Sequence, residues 1–179
     1  MLTAAGYSLR DMGPAGGYIF HDKGNYVDGW RYLEAARVDI EVGGDYTHIF
    51  GYARPLGTAS TGTAVGTGAT NTAALVNAMG AEAYSSDTGD QKTGNYAAKL
   101  CDGHTVGGYS DWFLPSKDEL EQMYNNLKVY SIGGFSGDYR WSSSEGDATK
   151  AWFQYFYNGV WNNYNRNYDQ VRVRPVRAF

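Results

Sequence analysis

The stretch that decides the fold runs from Pro115 to Leu127 and reads Pro-Ser-Lys-Asp-Glu-Leu-Glu-Gln-Met-Tyr-Asn-Asn-Leu. Ser116 and Glu119 have the spacing of a capping box, in which each side chain accepts a hydrogen bond from the backbone N–H of the other residue. Apolar side chains then recur at the three- and four-residue spacing of a helix that lies on a sheet, and they are Leu120, Met123, Tyr124 and Leu127. The pattern predicts a helix that begins after Ser116 and packs one face inward.

Strand-like runs lie on both sides of this helix. They are residues 17–21, 30–34, 139–143, 151–157 and 171–178, and the first two are separated by Asp22-Lys23-Gly24-Asn25, whose composition predicts a turn. Two further helices are predicted at residues 71–79, before Gly80, and at about residues 96–100, before Gly103. Helices in the middle of the chain with strands at both ends predict one α+β domain over residues 1–179.

Composition excludes several classes of protein. The chain has 15 Lys+Arg against 19 Asp+Glu, so its net charge of −4 disfavours general binding to nucleic acid. No apolar run approaches the roughly 18 residues that would cross a bilayer, so no membrane insertion is expected. Cys101 is alone, which excludes an internal disulfide. The first residues lack the charged and apolar regions of a signal peptide.

The sequence offers few groups for chemistry. His21, His48 and His104 are far apart and lack the spacing of metal ligands, so neither a metal nor another cofactor is expected. The glycine-rich stretch 57–68 has no lysine after its glycines and is therefore not a phosphate-binding loop. No serine lies in a nucleophile motif, and we expect a protein that is not an enzyme.

Two alternatives remain open. One is a hydrolase-like enzyme with a cleft carboxylate pair, drawn from Asp138, Glu145 and Asp147. The other is a protein that binds single-stranded nucleic acid through stacked aromatic rings and four arginines, Arg166, Arg172, Arg174 and Arg177. The alternation of Arg172 and Arg174 with valines is more typical of an exposed strand face, so nucleic acid ranks last.

The C-terminal part of the chain is rich in aromatic residues and asparagine. Within residues 152–169, eight of eighteen residues are aromatic and five are Asn. Strand alternation would turn Trp152, Gln154 and Phe156 to one face and Phe153, Tyr155 and Tyr157 to the other. Tyrosine and tryptophan with asparagine are typical of adaptable recognition surfaces. The residues alone equally allow rings that pack as a second small core.

Five motifs together resemble one bacterial group. They are Gly13–Phe20 (GPAGGYIF), Gly29–Ala36 (GWRYLEAA), Gly107–Ser116 (GGYSDWFLPS), Trp141–Glu145 (WSSSE) and Arg172–Arg177 (RVRPVR). The group is the C-type-lectin-fold proteins of the formylglycine-generating-enzyme subtype, and the chain is most similar to variable proteins of diversity-generating retroelements known from treponemes. The resemblance implies a small twisted antiparallel sheet with packed helices, in which N- and C-terminal strands pair.

The resemblance also implies a displayed variable region at about residues 151–172, which adenine-directed mutagenesis would diversify. The ligand-binding residues would be Phe153, Tyr155, Tyr157, Val160, Trp161, Tyr164, Arg166, Tyr168 and Asp169. All of these except Trp161 can arise from an AAY codon by changes at adenines, whereas Trp161 needs another codon such as AAG. The expectation is a non-enzymatic recognition protein, monomeric and displayed on a cell or virion surface, with an unknown protein or glycan as its ligand. The Glu-Pro-Asn and Gln-Pro-Asp motifs of sugar-binding C-type lectins are missing, which disfavours calcium-bridged sugar binding.

Overall fold

The computed structural model describes residues 6–179, and within them three α-helices and nine strands form. In chain order these are β1 (Tyr18–Val27), β2 (Trp30–Ala35), α1 (Gly68–Met79), β3 (Ala83–Tyr84), β4 (Lys92–Thr93), α2 (Ala97–Asp102), α3 (Lys117–Asn126), β5 (Tyr139–Glu145), β6 (Lys150–Tyr155), β7 (Trp161–Asn165), β8 (Val171–Arg172) and β9 (Val176–Ala178). The predicted α+β class is confirmed. All three predicted helices are present, within a few residues of their predicted bounds.

The first sheet joins the two ends of the described chain in the order β1-β2-β9, with both pairings antiparallel. The turn predicted at Asp22–Asn25 is wrong, because β1 continues through these residues to Val27. The chain reverses instead at Asp28-Gly29, where φ is 54° and 86°, and Val27 pairs with Trp30. Asp-Gly readily adopts two successive positive φ values, so this tight hairpin turn outcompetes the earlier one.

The second sheet has the order β7-β6-β5-β8 and carries the aromatic C-terminal region. It is mixed rather than purely antiparallel, because β8 runs parallel to β5. Strand β7 forms between the predicted runs 151–157 and 171–178, where no strand was predicted. The run predicted as one strand at residues 171–178 divides into β8 and β9, and Pro175, which has no N–H to donate to a ladder, lies in the gap. The C-terminus thus passes from the second sheet to the first.

Helix α3 is confirmed with its predicted start. Ser116 Oγ accepts from the backbone N–H of Glu119 at 3.3 Å, and Glu119 Oε2 accepts from the backbone N–H of Ser116 at 2.7 Å. The apolar stripe of the helix faces inward, since Leu120, Met123 and Leu127 are fully buried. These side chains belong to an apolar cluster that also contains residues of both sheets, so α3 fastens the two sheets together.

Both faces of β6 are covered by the core. Phe153 belongs to one apolar cluster with Trp141 and Phe50, whereas Phe156, just after the strand, belongs to the other with Phe20. β6 lies between two neighbouring strands, and Gln154 on the Phe156 side is fully buried as well. This strand therefore forms a rigid frame from which the following residues project.

The C-terminal arginines are buried or half-buried, so the predicted exposed strand face at Arg172 and Arg174 is wrong. Arg174 is 1% exposed, and its Nε donates to Asp39 Oδ1 at 2.7 Å. Arg140 donates to the same carboxylate through Nε and Nη2, at 3.1 and 2.8 Å. Arg172, half-buried, lies 2.7 Å from Asp138. A shared carboxylate offsets the cost of burying these guanidinium groups.

Candidate functional site

Strand register gathers aromatic side chains onto one face of the second sheet. Tyr155 on β6 lies opposite Tyr139 on β5, and Phe153 lies between Trp141 on β5 and Asn162 on β7. Residues opposite each other project to the same face of a sheet, so these rings become neighbours. We call the resulting group the aromatic surface, and its members are Tyr139, Phe153, Tyr155, Tyr157, Tyr164 and Tyr168.

The rings of the aromatic surface touch in an unbroken series. Ring centroids are 4.6 Å apart for Tyr139 and Tyr155 and 5.7 Å apart for Tyr155 and Tyr157. On the other side, Tyr168 lies 5.9 Å from Phe153 and 5.2 Å from Tyr164. Aromatic pairs at these separations stabilise each other, so the surface is held in place before any ligand arrives.

The exposed fraction of the side chains differs across the aromatic surface. Tyr157 is 75% exposed and Tyr164 is 52% exposed, whereas Tyr155 and Tyr168 are half-buried. A depression of about 180 Å³ opens between the rings. It is lined by Tyr139, Phe153, Asn162, Tyr164 and Tyr168.

Phe153 forms the floor of this depression, and the prediction that its ring is displayed is wrong. It is 4% exposed, with its ring 5.3 Å from that of Trp141. The alternation of side chains along the strand correctly predicted that Phe153 lies on the same face as Tyr155. At the centre of the sheet, however, that face is covered by the core. Along β6 itself, this face becomes open to solvent only beyond the end of the strand, at Tyr157.

Arg166 is a structural residue rather than a displayed one, which corrects a second prediction. It is 1% exposed, and its Nη2 donates to Glu145 Oε1 and to the carbonyl oxygen of Asp147, both at 2.5 Å. Its guanidinium carbon lies 5.3 Å above the ring of Phe50. Arg166 thus ties the turn after β7 to the end of β5.

Trp161 faces the opposite side of the sheet from the aromatic surface. Its position pairs with Gln154, and its indole Nε1 donates to Glu121 Oε2 of α3 at 2.9 Å. The ammonium group of Lys117 lies 4.6 Å from the Trp161 ring. Trp161 therefore does not share a surface with Tyr155, contrary to the predicted site. Val160 and Asp169 are exposed, as expected for residues of a displayed ligand-binding surface.

Two lining residues were missing from the predicted site. Tyr139 lies in β5, outside the C-terminal segment, and Asn162 lies in β7 but is not among the predicted ligand-binding residues. The sequence showed that Tyr139 begins a strand, but only the register with β6 brings it beside Tyr155. Finding Tyr139 would have required knowing which strands pair, and composition does not indicate strand pairing.

The carboxylates of the enzyme alternative do not form a catalytic pair. Asp138 and Glu145 each bind an arginine, and Asp147 accepts from the backbone N–H and the hydroxyl of Thr149, which hold its pKa below the usual range. Burial raises the pKa of Glu119, but its carboxylate accepts from the backbone N–H of Ser116 in the capping box and from that of Gly66. Each of these carboxylates is therefore engaged by an arginine, by Thr149 or by backbone N–H groups.

The nucleic-acid alternative also lacks its surface, because carboxylates bind all four of its arginines. The pairs are Arg166–Glu145, Arg172–Asp138, Arg174–Asp39 and Arg177–Glu34. A polyphosphate-binding face needs cations that are free to meet phosphates. These guanidinium groups instead form ion pairs within the protein.

Other reactive groups are dispersed. No group of three or more His, Cys, Asp or Glu side chains in residues 6–179 is placed to hold a metal ion. Burial lowers the pKa of His21, His48 and His104, and it raises the pKa of the fully buried Cys101 thiol well above its ordinary value. Across the same residues, no helix combines the length and hydropathy that a bilayer crossing demands.

Fold and site together define an α+β domain whose second sheet presents a preformed aromatic surface on a rigid frame. The chain belongs to the Lcl C-terminal domain family, whose model matches residues 69–177. Domains of this family are found in variable proteins of diversity-generating retroelements, and the family is not a known enzyme family. No curated protein matches the chain.

Proposed function

We propose that the protein is the variable protein of a diversity-generating retroelement and binds a macromolecular ligand through the aromatic surface. Its fold would be the C-type lectin fold of the formylglycine-generating-enzyme subtype, and it would be displayed on a cell or virion surface. One observation carries the proposal: the rings of the aromatic surface lie in an unbroken series on a packed sheet, with Tyr157 and Tyr164 more than half exposed.

The geometry divides the C-terminal segment into displayed and supporting positions. The displayed positions are Tyr155, Tyr157, Val160, Tyr164, Tyr168 and Asp169. Phe153 and Arg166 support the frame, and Trp161 packs beside α3. A diversified protein needs this division, because random side chains are harmless at exposed positions but strongly destabilising in a packed core.

Tyrosine suits the displayed role for physical reasons. Its ring offers a large contact area with few rotatable bonds, and its hydroxyl adapts to either a donor or an acceptor on the partner. Large aromatic residues contribute much of the binding energy at protein interfaces. The exposed asparagines, such as Asn158 and Asn162, add amide groups at the rim.

The DNA beside the gene tests the retroelement part of the proposal. We expect a near-copy of the segment that encodes residues 152–169, differing mainly at adenines of the copy, together with a reverse transcriptase gene. The differing codons should fall at the displayed positions, while those of Phe153 and Arg166 should match between copy and gene. The absence of a copy, or differences concentrated at Phe153 and Arg166, would contradict the proposal.

Labelling of intact cells or particles tests display. An antibody raised against the folded protein should stain unpermeabilised material, and a cytoplasmic marker should remain unstained in the same sample. Staining that requires permeabilisation would contradict surface display without affecting the assignment of the binding surface.

A further inference from the structure

The depression in the aromatic surface has walls made of aromatic rings in several planes. The rings of Tyr139 and Phe153 meet at 73°, as do those of Tyr164 and Tyr168, while Phe153 and Tyr168 meet at 35°. Asn162 completes the lining with an amide group. The phenyl ring of Phe153 closes the bottom, so a group that enters the depression meets π-systems from more than one side.

No lysine or arginine side chain in the described part of the chain lies over these rings. Lysine and arginine side chains approach many aromatic rings in residues 6–179, but every such contact falls outside the aromatic surface. Arg166 and Arg172, which flank Tyr168 in sequence, lie over Phe50 and Tyr46. Arg140, next to Tyr139 in sequence, lies over Phe156. No lysine or arginine side chain of residues 6–179 therefore competes with an outside cation for the lining rings.

The charges around the depression favour the same sign of ligand. Asp169 is exposed directly after Tyr168, whereas Arg166 and Arg172 are bound to carboxylates. Burial raises the pKa of the Tyr168 phenol, and Tyr139, Tyr164 and Asp169 raise it further. At neutral pH the tyrosines are uncharged, so among these neighbours it is the Asp169 carboxylate that disfavours a further negative charge at this place. The whole chain carries a net charge of −4.

We propose that this depression receives the cationic end of a lysine or arginine side chain from a protein ligand. The inference rests on the proposed binding function and names the chemistry that one part of the surface recognises. The cation would lie against the faces of Tyr164 and Tyr168 above Phe153, with Asn162 Oδ1 as an acceptor for its N–H groups. Cation–π contact with several rings and the nearby carboxylate of Asp169 would together favour a charged over a neutral side chain.

A pair of capped tripeptides tests the proposal directly. Acetyl-Gly-Lys-Gly-amide and acetyl-Gly-norleucine-Gly-amide share the same carbon chain but differ in the terminal ammonium group. Titration of the isotopically labelled protein, followed by NMR, should show the lysine peptide binding about twofold to thirtyfold more tightly. Its shift changes should centre on Asn162, Tyr164 and Tyr168. Equal binding, preference for norleucine or no binding by either peptide would overturn the proposal.

Ring removal locates the effect. Tyr168→Leu and, separately, Tyr164→Leu keep an apolar side chain but remove a π-face, so the lysine preference should fall toward unity. Tyr26→Leu is the matched control, because Tyr26 is 70% exposed and lies in the first sheet, and it should leave the preference unchanged. An unchanged preference in both site variants would overturn the proposal. The arrangement of adenine differences in the gene is independent of these titrations, so failure here is distinguishable from failure of the proposed function.

Discussion

Arg166 and Glu145 form an ion pair of 2.5 Å inside the protein, with side chains that are 2% and 4% exposed. The pair joins the turn after β7 to the end of β5 and thereby holds the segment that carries Tyr164 and Tyr168. Glu145 also accepts from the backbone N–H of Ala59 at 2.7 Å, so a third segment depends on the same carboxylate. The displayed residues are consequently held by a buried ion pair that joins Arg166 of their own segment to Glu145 of β5.

Arg166→Ala should lower the free energy of unfolding by about 3–5 kcal/mol, because it leaves the Glu145 carboxylate buried without its cation. Urea denaturation followed by tryptophan fluorescence measures this change. Asp169→Ala is the control in the same segment, and its exposed side chain should change stability by no more than about 0.5 kcal/mol. Similar effects for the two variants would show that Arg166 is not part of the frame.

Acid should destabilise the protein through Asp39. Burial alone would raise the pKa of this carboxyl group, but Arg174 and Arg140 hold it below its ordinary value in the folded state. At a pH between its folded and its unfolded pKa, Asp39 is protonated in the unfolded chain but charged in the folded protein. The stabilisation is therefore complete above the unfolded pKa of about 4, and it is lost as the pH falls through the folded pKa.

Asp39→Asn is therefore expected to destabilise the protein at pH 7 by about 3–5 kcal/mol, since it leaves buried guanidinium groups without their carboxylate. It should also flatten the loss of stability between pH 5 and pH 2 in urea titrations, relative to the parent protein. Asp118→Asn, in the first turn of α3, serves as a control for a carboxylate outside this cluster. If the stability of Asp39→Asn fell as steeply between pH 5 and pH 2 as that of the parent protein, Asp39 would not be the source of the acid sensitivity.

Gly107 and Gly108 form a matched pair for close backbone packing. Both have positive φ, 63° and 82°, but a Cβ at Gly107 would lie 2.3 Å from the carbonyl oxygen of Ala15, whereas a Cβ at Gly108 would meet no atom within 4 Å. Gly108→Ala should cost about 1–2 kcal/mol from its φ alone. Gly107→Ala should cost clearly more in thermal denaturation, and equal losses would show that the contact with Ala15 relaxes freely.

Substitution tolerance should follow exposure along the aromatic surface. Tyr157→Ser and Tyr164→Ser are expected to change stability by no more than about 1 kcal/mol, because both rings are more than half exposed. Phe153→Ser removes a core ring and places a hydroxyl in the cluster with Trp141, so it should cost at least about 3–5 kcal/mol. Parallel urea titrations compare the three. A Phe153 variant as stable as the others would place that ring outside the core.

The local features of the chain were readable in the sequence because they depend on residues close together in it. Helix α3 begins with the predicted capping box, since Ser116 and Glu119 meet within a single turn. Alternation likewise placed Phe153 and Tyr155 on the same side of β6. The Asp28-Gly29 sequence is also typical of a hairpin turn, but the turn was predicted at Asp22–Asn25 instead.

Burial and partnership depended on residues far apart in the chain. Composition could not reveal that Trp141 covers Phe153, that Glu145 binds Arg166 or that Trp161 faces helix α3. Strand order and register decide which side chains meet, and they follow from the balance of packing over the whole domain. The sequence by itself therefore determined the α+β class, the capped helix and the aromatic character of the C-terminal segment. Only the tertiary structure decided which of those rings face solvent, because a strand between two neighbours can have both faces covered by the core.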